Sequence, residues 1–381
     1  MGRDSKRIDF GDMGGGQRPE NAGAPLRVLV ATPLGRDGKG GIDRLMDAVR
    51  ECLNEGRAGA WDVSFGTTRG PGALWASPFY LGTFLARLAI LRLLNRPDLL
   101  HINLSSDGST RRKVLVGKAA HALGIPYVVH LHGSRFRTFF DNASPSLQAD
   151  ARQLLARARR VIVLGRVWRD FIADRVPDAR DRTVILPNAT AAITPSAPRP
   201  DADGPVLLFL GRVGPRKGVP ELVEALHRIA GIEGWRAVIA GDGDVAQTRE
   251  RIASLGLSAR VGVPGWVGPE EARALLTSSD ILVLPSFDEN LPMSVIEGMS
   301  AGLAVVATPV GAVEDILSDG DTGLLVPPGD PAALAEALRK LVQDPQLRRK
   351  LGHAAQDYHR RHLDMAPYMA RLTAIWTEAL R

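Results

Sequence analysis

Short apolar runs alternate with longer amphipathic segments along most of this sequence. The runs are continuous and rich in Val, Ile and Leu, which is typical of strands buried on both faces of a parallel sheet. They occupy residues 26–31, 99–104, 127–131, 160–165, 183–188, 206–210, 236–240, 261–267 and 280–284. Helical patterns, such as those at 78–95, 110–123, 146–159 and 331–343, separate them. The alternation predicts an α/β protein with doubly wound parallel sheets.

One stretch breaks this alternation near the middle of the chain. Residues 194–205 contain four prolines together with Asp and Gly, and they lack any hydrophobic period. A chain of 381 residues is also long for one domain. We therefore predict an N-terminal domain at 25–193, a linker at 194–205 and a C-terminal domain at 206–360, and we interpret the polar, Gly-rich residues 1–24 as a disordered tail.

Composition points to a soluble protein of a reducing compartment. The chain is 45% hydrophobic and 24% charged, which is ordinary for a globular protein. Its single cysteine, Cys52, excludes an internal disulfide and a cysteine zinc cluster, and we expect it to be a packed thiol. The sequence shows neither a secretory signal nor a run of 18 apolar residues, so we predict a cytoplasmic location.

Charge is distributed unevenly between the two halves of the chain. Residues 1–190 hold 29 Lys and Arg against 18 Asp and Glu, while the rest holds 19 against 24. The basic half favours an anionic partner such as a membrane surface, a phosphorylated lipid or nucleic acid, although arginines on solvated helix faces would give the same count. The apolar segment 79–94, which includes Arg87 and Arg92, either lies in a membrane interface or packs on the sheet with its arginines reaching solvent.

The turn after the strand at 280–284 has the features of an anion site. Pro292 suits an early position of the helix that follows, so backbone N–H groups and the positive end of the helix dipole face the turn. Glu289 and Glu297 place two carboxylates beside them. An anion site with neighbouring carboxylates suits a ligand that carries both phosphates and hydroxyls, such as a nucleotide-sugar.

A glycine-rich loop follows the first strand of each predicted domain. Gly40 and Gly41 allow a backbone to approach a ligand closely, but the pattern is neither a dinucleotide-binding fingerprint nor a P-loop. In the second loop, at 211–218, Arg212 and Lys217 supply two cations that would neutralise a diphosphate.

His132 follows directly after the strand at 127–131. Ligands of open α/β sheets bind outside the carboxyl ends of the strands, so His132 is a candidate site residue. The nearby Arg135 and Arg137 either bind an anionic acceptor or are ordinary surface cations. The Asp-x-Asp pairs at 201–203 and 242–244 are more typical of turns than of a metal site, and we predict no metal.

Taken together, these motifs resemble the retaining glycosyltransferases of family four. The shared features occur in the family's order: Gly40-Gly41, His132-Gly133, Gly211-Arg212 with Lys217-Gly218, Gly241-Asp-Gly243, the pair Glu289 and Glu297, and Gly323-Leu-Leu-Val326. The resemblance covers residues 26–360 and is strongest from 206 to 326. It implies a GT-B fold, in which two Rossmann-like domains face each other across a cleft and the C-terminal helix at 361–381 packs back on the N-terminal domain.

The resemblance also implies a role for individual residues. It assigns the donor diphosphate to Arg212 and Lys217, with a further phosphate contact from Gly41. Glu297 would bind the ribose and Glu289 the transferred sugar. The backbone around Trp266 and Val267 would hold the base, and His132 would lie beside the sugar. The family's usual Glu-Gly-Phe-Gly turn is replaced here by Glu289-Asn290-Leu291-Pro292, a variant similar to enzymes of polysaccharide assembly. We expect this turn to contact the donor, and the variant leaves the donor sugar open.

The implied activity is transfer of a sugar from a UDP or GDP type donor to an acceptor hydroxyl, with retention of configuration and without metal or cofactor. The implied acceptor is a glycan or a lipid-linked molecule of polysaccharide, glycolipid or other glycoconjugate assembly, at the inner face of the membrane, and nucleic acid is not expected. A sugar-nucleotide epimerase and a non-catalytic nucleotide-sugar or carbohydrate-binding module are the two alternatives.

Overall fold

The structure is a computed structural model. It describes residues 25–35, 41–56, 61–71, 74–94, 97–194 and 204–381. The predicted tail at 1–24, Gly40, most of the predicted linker and the Asp pair at 201–203 lie outside the described residues.

Strands and helices alternate through the described chain. The strands are β1 (Leu26–Thr32), β2 (Trp61–Thr67), β3 (Leu99–Leu104), β4 (Tyr127–Leu131), β5 (Arg160–Val163), β6 (Thr183–Ile185), β7 (Val206–Leu210), β8 (Arg236–Ala240), β9 (Val261–Gly265), β10 (Ile281–Leu284), β11 (Ala304–Ala307) and β12 (Leu324–Leu325). The helices are α1 (Gly41–Asn54), α2 (Ser77–Leu93), α3 (Gly108–Ala122), α4 (Phe136–Asn142), α5 (Pro145–Ala156), α6 (Arg166–Arg175), α7 (Val219–Arg228), α8 (Val245–Ser254), α9 (Pro269–Thr277), α10 (Met293–Ser300), α11 (Val313–Ile316), α12 (Pro331–Gln343), α13 (Pro345–His362) and α14 (Met365–Leu380). Short 3₁₀ turns occur at Leu74–Ala76, Pro177–Arg182 and Pro215–Lys217.

The chain divides into two compact units, each built on one six-stranded sheet. The C-unit holds Ala189–Asp364, and the N-unit holds the described residues up to Asn188 together with Met365–Arg381. The sheet orders are β2-β1-β3-β4-β5-β6 and β12-β11-β10-β7-β8-β9, and neighbouring strands in both sheets are parallel. Both sheets are doubly wound, as the alternating pattern predicted.

The core of each unit lies around its central strands. Every residue of β3, β4, β10 and β11 is buried, which agrees with their continuous apolar runs. The helix α14 belongs to the N-unit, where its Trp376 indole Nε1 donates to Nδ1 of His101 on β3 at 3.0 Å. Cys52 is a buried free thiol on α1, as expected.

Strand order places a crevice at one position in each sheet. In the N-unit the chain runs from β1 to its neighbour β2, whereas β3 lies on the other side of β1. In the C-unit it runs from β7 to β8, whereas β10 lies on the other side of β7. The loops leaving the two central strands therefore diverge, and ligands of doubly wound sheets bind at such a switch point.

Some elements differ from the sequence prediction. The strand β2 was not predicted, because it is an edge strand whose residues are mostly half-buried and it lacks a continuous apolar run. The short helices α4 and α9 were also missed. Pro292 is the residue before α10 and not part of its first turn, since its backbone is extended with φ −72° and ψ 129°.

The apolar segment at 79–94 forms most of α2 and packs on the sheet. Phe84 and Leu88 are buried in the core of the N-unit. Both arginines of the segment form hydrogen bonds to backbone carbonyls of the N-unit: Arg87 donates to Phe65 and Arg92 to Leu123. The opposite side of the segment carries the exposed apolar residues Phe79, Ile90, Leu93 and Leu94, and Trp75, in the 3₁₀ turn before α2, is exposed as well. None of the described helices is long and apolar enough to cross a bilayer.

Candidate active site

The loop that leaves β10 at the switch point of the C-unit is mostly buried, although Phe287 is exposed. Glu289 is only 9% exposed, and its Oε1 accepts a hydrogen bond of 2.8 Å from the Ser286 hydroxyl. The same oxygen forms a close ion pair with Nζ of Lys217, which comes from the loop after β7. The two loops that diverge at the switch point are thus joined by a charged pair.

Two glycines allow this loop to lie against its neighbours. Gly218 has φ +71°, and a Cβ built on it would lie 1.9 Å from the carbonyl oxygen of Pro285. Gly311 has φ +62°, and its Cβ would lie 2.2 Å from the carbonyl oxygen of Glu289. Both positions combine a left-handed backbone with a contact that any side chain would prevent. The loop geometry around Glu289 therefore depends on these two glycines.

The remaining predicted donor residues lie in the same unit. Asn290, Leu291 and Pro292 are buried between Glu289 and the start of α10, and the Asn290 carbonyl accepts from the Ala312 backbone N–H at 2.7 Å. Glu297 is 7% exposed on α10.

Arg212 and Val267 occupy two other loops of the C-unit. Arg212 is exposed directly beyond β7 and Gly211. Val267 is buried just after β9, whereas the neighbouring Trp266 side chain is exposed. The strands β7, β9 and β10 are parallel members of one sheet, so Arg212, Val267 and Glu289 all follow strand ends at the same edge of that sheet.

His132 occupies the end of β4 in the N-unit and contacts the neighbouring strand. Its backbone N–H donates to the Leu104 carbonyl, and its Nε2 lies 2.9 Å from Oδ1 of Asn103. The Asn103 amide nitrogen in turn donates to the Ala31 carbonyl at 3.3 Å, which directs Oδ1 towards the imidazole. Since an amide oxygen only accepts hydrogen bonds, Nε2 of His132 carries the proton and Nδ1 has a free lone pair.

Two further histidines lie behind His132. The rings of His130 and His132 have centroids 3.9 Å apart, and His101 lies 5.4 Å from His130. Burial, followed by the neighbouring His101, lowers the pKa of His132 to about 3, and burial lowers the pKa of His101 to about 4. The cluster is therefore uncharged at neutral pH.

Other predicted residues of the N-unit lie on its surface. Arg135 forms a 3.5 Å ion pair with Asp107, and both side chains are mostly exposed. Arg137 lies over the ring of Phe171 at 5.4 Å. Gly41 is the exposed first residue of α1.

The described chain does not bring metal-binding side chains together. No group of three or more His, Cys, Asp or Glu residues in this part of the protein is arranged to hold a metal ion. In the pair at 242–244, Asp242 accepts a hydrogen bond through its backbone carbonyl from Val213, and Asp244 precedes α8. These aspartates therefore serve the turn between β8 and α8.

Sequence reasoning missed several polar partners of the site. Asn103 and His101 are two residues apart on β3, as His130 and His132 are two apart at the end of β4, and Asn103 pairs in register with His130. The period of two in adjacent strands puts all four side chains on one face. This spacing could have predicted the cluster from the sequence, whereas no feature of the sequence around Ser286 identifies it as the partner of Glu289.

Comparison with known proteins agrees with this architecture. Residues 193–358 match the family model for glycosyl transferases group 1, and residues 16–189 match that for a glycosyl transferase 4-like domain. A 2-deoxystreptamine N-acetyl-D-glucosaminyltransferase from Streptomyces fradiae is 32% identical over 297 residues, covering 72% of this chain and 70% of that protein. A solved structure of a glycosyltransferase from Rickettsia africae has a TM-score of 0.75 and 17% identity, and the match covers 94% of this chain and 99% of that one. The structure of Anabaena Alr3699/HepE in complex with UDP and glucose has a TM-score of 0.72 and 18% identity, with coverage of 92% of this chain and 99% of that one.

The fold and these matches define a two-domain Rossmann-like glycosyltransferase of the GT-B class. The chain belongs to glycosyltransferase family four. It is a glycosyltransferase, as its motifs predicted, and the matches give no support to an epimerase or to a non-catalytic binding module.

Proposed function

We propose that this chain transfers a sugar from a uridine diphosphate donor to an acceptor hydroxyl, with retention of the anomeric configuration and without a metal ion. The observation that carries the proposal is the contact between Lys217 and Glu289 at the switch point of the C-unit. A cation and a carboxylate held together there match the two parts of a nucleotide-sugar, its diphosphate and its hydroxyls. UDP is the first candidate because the similar Anabaena structure holds it, and GDP is the second.

The leaving diphosphate is stabilised by positive groups of the protein. Lys217 and Arg212 supply two cations, and the backbone N–H groups of the first turn of α10 face the loop at 285–292. As the bond to the anomeric carbon breaks, negative charge grows on the diphosphate oxygens, and fixed cations with a helix N-terminus stabilise it. These groups supply the charge that a divalent metal supplies in other transferases, which supports metal independence.

The buried carboxylates recognise the hydroxyl groups of the donor. We assign the transferred sugar to Glu289 and the ribose to Glu297, with Asn290, Leu291 and Pro292 shaping the sugar pocket between them and Val267 near the base. Ser286 and Lys217 fix the Glu289 carboxylate before the donor binds. A carboxylate held in advance loses little side-chain entropy on binding.

His132 accepts a hydrogen bond from a sugar hydroxyl in this proposal. Its Nε2–H is held by Asn103, so Nδ1 presents a lone pair, and its pKa of about 3 keeps the ring neutral. An imidazole with so low a pKa is a weak base near neutrality. His132 therefore orients the sugar. The acceptor hydroxyl attacks the anomeric carbon from the face that the diphosphate leaves, and the departing diphosphate takes the hydroxyl proton. Attack on that face retains the anomeric configuration. Gly41 and Arg135 are assigned to a phosphate contact and to the acceptor.

We further propose that the N-unit contacts an anionic membrane surface on the cytoplasmic side. The exposed stripe combines Phe79 and Leu93 of α2 with Trp75 of the 3₁₀ turn that precedes it, and these side chains are 71%, 85% and 84% exposed. Arg87 and Arg92 flank it in a half of the chain that carries a net positive charge. An apolar face bordered by cations suits the interface of a bilayer with anionic lipids. A lipid-linked or glycan acceptor of glycoconjugate assembly would meet the enzyme there.

A thermal-shift screen with UDP, GDP, ADP and their sugars tests the donor assignment. A ligand that binds the native state raises the melting temperature, and we expect UDP or its sugars to give the largest rise. Retention is tested by the anomeric configuration of the product in NMR spectra, and metal independence by turnover in EDTA. A melting temperature that none of these nucleotides changes would contradict the donor assignment.

A further inference from the structure

A buried lysine lies beneath the switch point of the N-unit. Lys113 on α3 is only 1% exposed, and its Nζ donates to the Thr68 hydroxyl at 2.6 Å and approaches the Ala31 carbonyl at 3.4 Å. In the described chain it forms no ion pair. Burial, and then the charge of Arg112, lowers the pKa of Lys113 to about 7. A buried ammonium group without a carboxylate is costly, so its retention requires an explanation.

Two arginines add to this positive charge. The Nε atoms of Arg69, just after β2, and of Arg112 on α3 are buried, and neither has a hydrogen-bond partner within the described structure. Burial and the charge of Arg69 lower the pKa of Arg112, which shows that the two guanidinium groups are neighbours. We call Arg69, Arg112 and Lys113 the cation cluster.

The surroundings of the cation cluster do not neutralise it. Asp43 on α1 is the one carboxylate whose charge acts on Lys113, and this effect is smaller than that of Arg112. Asp43 accepts from the backbone N–H of Leu34, and burial raises its pKa. The Arg112 guanidinium lies over Gly108, at the N-terminus of α3, where the helix dipole is also positive. Three cations and a helix N-terminus thus meet at the carboxyl ends of β1 and β2.

We propose that the cation cluster binds a phosphate group of the acceptor, so that the acceptor is a phosphate ester. This inference rests on the proposed function, because it treats the N-unit as the acceptor side. A phosphate accepts several charge-assisted hydrogen bonds at once, and the guanidinium groups of Arg69 and Arg112, both partly exposed, supply donors of the kind that it needs. A bound anion would also raise the pKa of Lys113, so binding near neutral pH would be accompanied by proton uptake.

The cation cluster separates two classes of acceptor. The Streptomyces relative is named for an amine acceptor, 2-deoxystreptamine. An ammonium group beside three cations of the same sign would be repelled, whereas a phosphate would neutralise them. We therefore expect the acceptor of this chain to differ in charge from that of the relative.

Binding of inorganic phosphate tests the cluster directly. Isothermal titration with phosphate in the presence of saturating UDP leaves the donor site occupied, so that the remaining binding reports another site. We expect Arg112→Gln and Arg69→Gln each to weaken phosphate binding by about tenfold or more, since each removes a charge-assisted hydrogen bond to the anion. Arg111→Gln is the matched control, because Arg111 is the exposed neighbour of Arg112 on the same helix.

Two arms distinguish the sources of the phosphate. One compares transfer to a soluble polyol with transfer to its phosphate monoester, and the other compares vesicles of phosphatidylcholine alone with vesicles that also contain phosphatidylinositol. Preference for the phosphorylated acceptor in either arm, lost in Arg112→Gln and Arg69→Gln but kept in Arg111→Gln, supports the proposal and names the source. Equal phosphate binding by all variants, or equal use of both acceptors, overturns it.

Failure of this inference is distinguishable from failure of the proposed function. UDP binding is measured for every variant, along with its melting temperature as a check on folding. If UDP binds and sugar is transferred without any effect of the cluster variants, the acceptor inference fails and the transferase proposal stands. If UDP does not bind the wild-type protein, the donor assignment itself fails.

Discussion

The charged groups at the switch points of the two units differ in how they are paired. In the C-unit, Lys217 is paired with Glu289, and Ser286 satisfies the same carboxylate. In the N-unit, Lys113 has no ion pair among the described residues, and the histidines beside the end of β4 are neutral. A paired site keeps its geometry without a ligand, whereas an unpaired cation cluster is stabilised only when an anion arrives. The comparison suggests that the C-unit is arranged before its ligand binds and that the N-unit gains more from binding.

The largest expected effect comes from breaking the charged pair of the C-unit. Lys217→Ala and Glu289→Ala should each reduce kcat/KM about 10²–10³-fold, the usual effect of removing one group that stabilises a transition state. Each change also leaves the other charge buried and unpaired, so the double variant should lose less than the product of the two. Steady-state transfer assays measure both effects. Arg228→Ala, which breaks an exposed helical ion pair, is the control; unchanged turnover in both single variants would contradict the site.

A smaller effect is expected from the uncharged site of the N-unit. His132→Ala should reduce kcat/KM about 10–100-fold, because one neutral hydrogen bond to substrate is lost. Asn103→Ala should have a weaker effect in the same direction, since it frees the tautomer of His132 without removing the ring. His132 should contribute no ionisation near 6.5 to the wild-type pH profile, because the pKa of its imidazole is lowered to about 3. An inflection near 6.5 that disappears in His132→Ala would show that the histidine is a general base.

The buried lysine should make stability depend on pH. The folded-state pKa of Lys113 is about 7 against an ordinary 10.5, so the unfolded chain binds the extra proton between these values and stability rises with pH across this window. Relative to Lys113→Met, the wild-type free energy of unfolding should increase by about 2 kcal/mol from pH 7 to pH 9. Urea unfolding at both pH values measures the difference. Parallel pH dependence of the two proteins would mean that Lys113 is neutral or paired throughout.

The smallest effect concerns the contact between α14 and β3. Trp376→Phe removes the indole N–H and leaves the buried Nδ1 of His101 without its donor, which should lower the free energy of unfolding by about 1 kcal/mol. Thermal unfolding followed by circular dichroism measures it. Thr373→Val is a control on the same helix, because its hydroxyl bonds only to backbone carbonyls of that helix. Equal stability of Trp376→Phe and the wild type would show that this hydrogen bond contributes little.

Features that depend on neighbouring residues could be predicted from the sequence, whereas contacts between residues far apart in the sequence could not. The strands at 99–104, 127–131, 206–210 and 236–240 were predicted with the bounds that the structure shows, because continuous apolar runs are a local signal. The edge strand β2 was missed because half-buried residues dilute that signal. Glu289 and Lys217 were chosen separately, yet their contact joins residues 72 positions apart. Lys113 was not selected, since nothing in its helical neighbourhood reveals that Thr68 and Ala31 surround it.

The place of α14 in the N-unit has a consequence for how the protein is made. The chain leaves the N-unit at Asn188, completes the C-unit by Asp364 and then supplies Met365–Arg381 to the N-unit. During synthesis the C-unit therefore has all its residues before the N-unit does, although it begins later. Because domains fold as units, the N-unit waits for a segment translated after its neighbour. Chains that end at residue 364 should hold a folded C-unit and an N-unit in which His101 lacks its tryptophan partner.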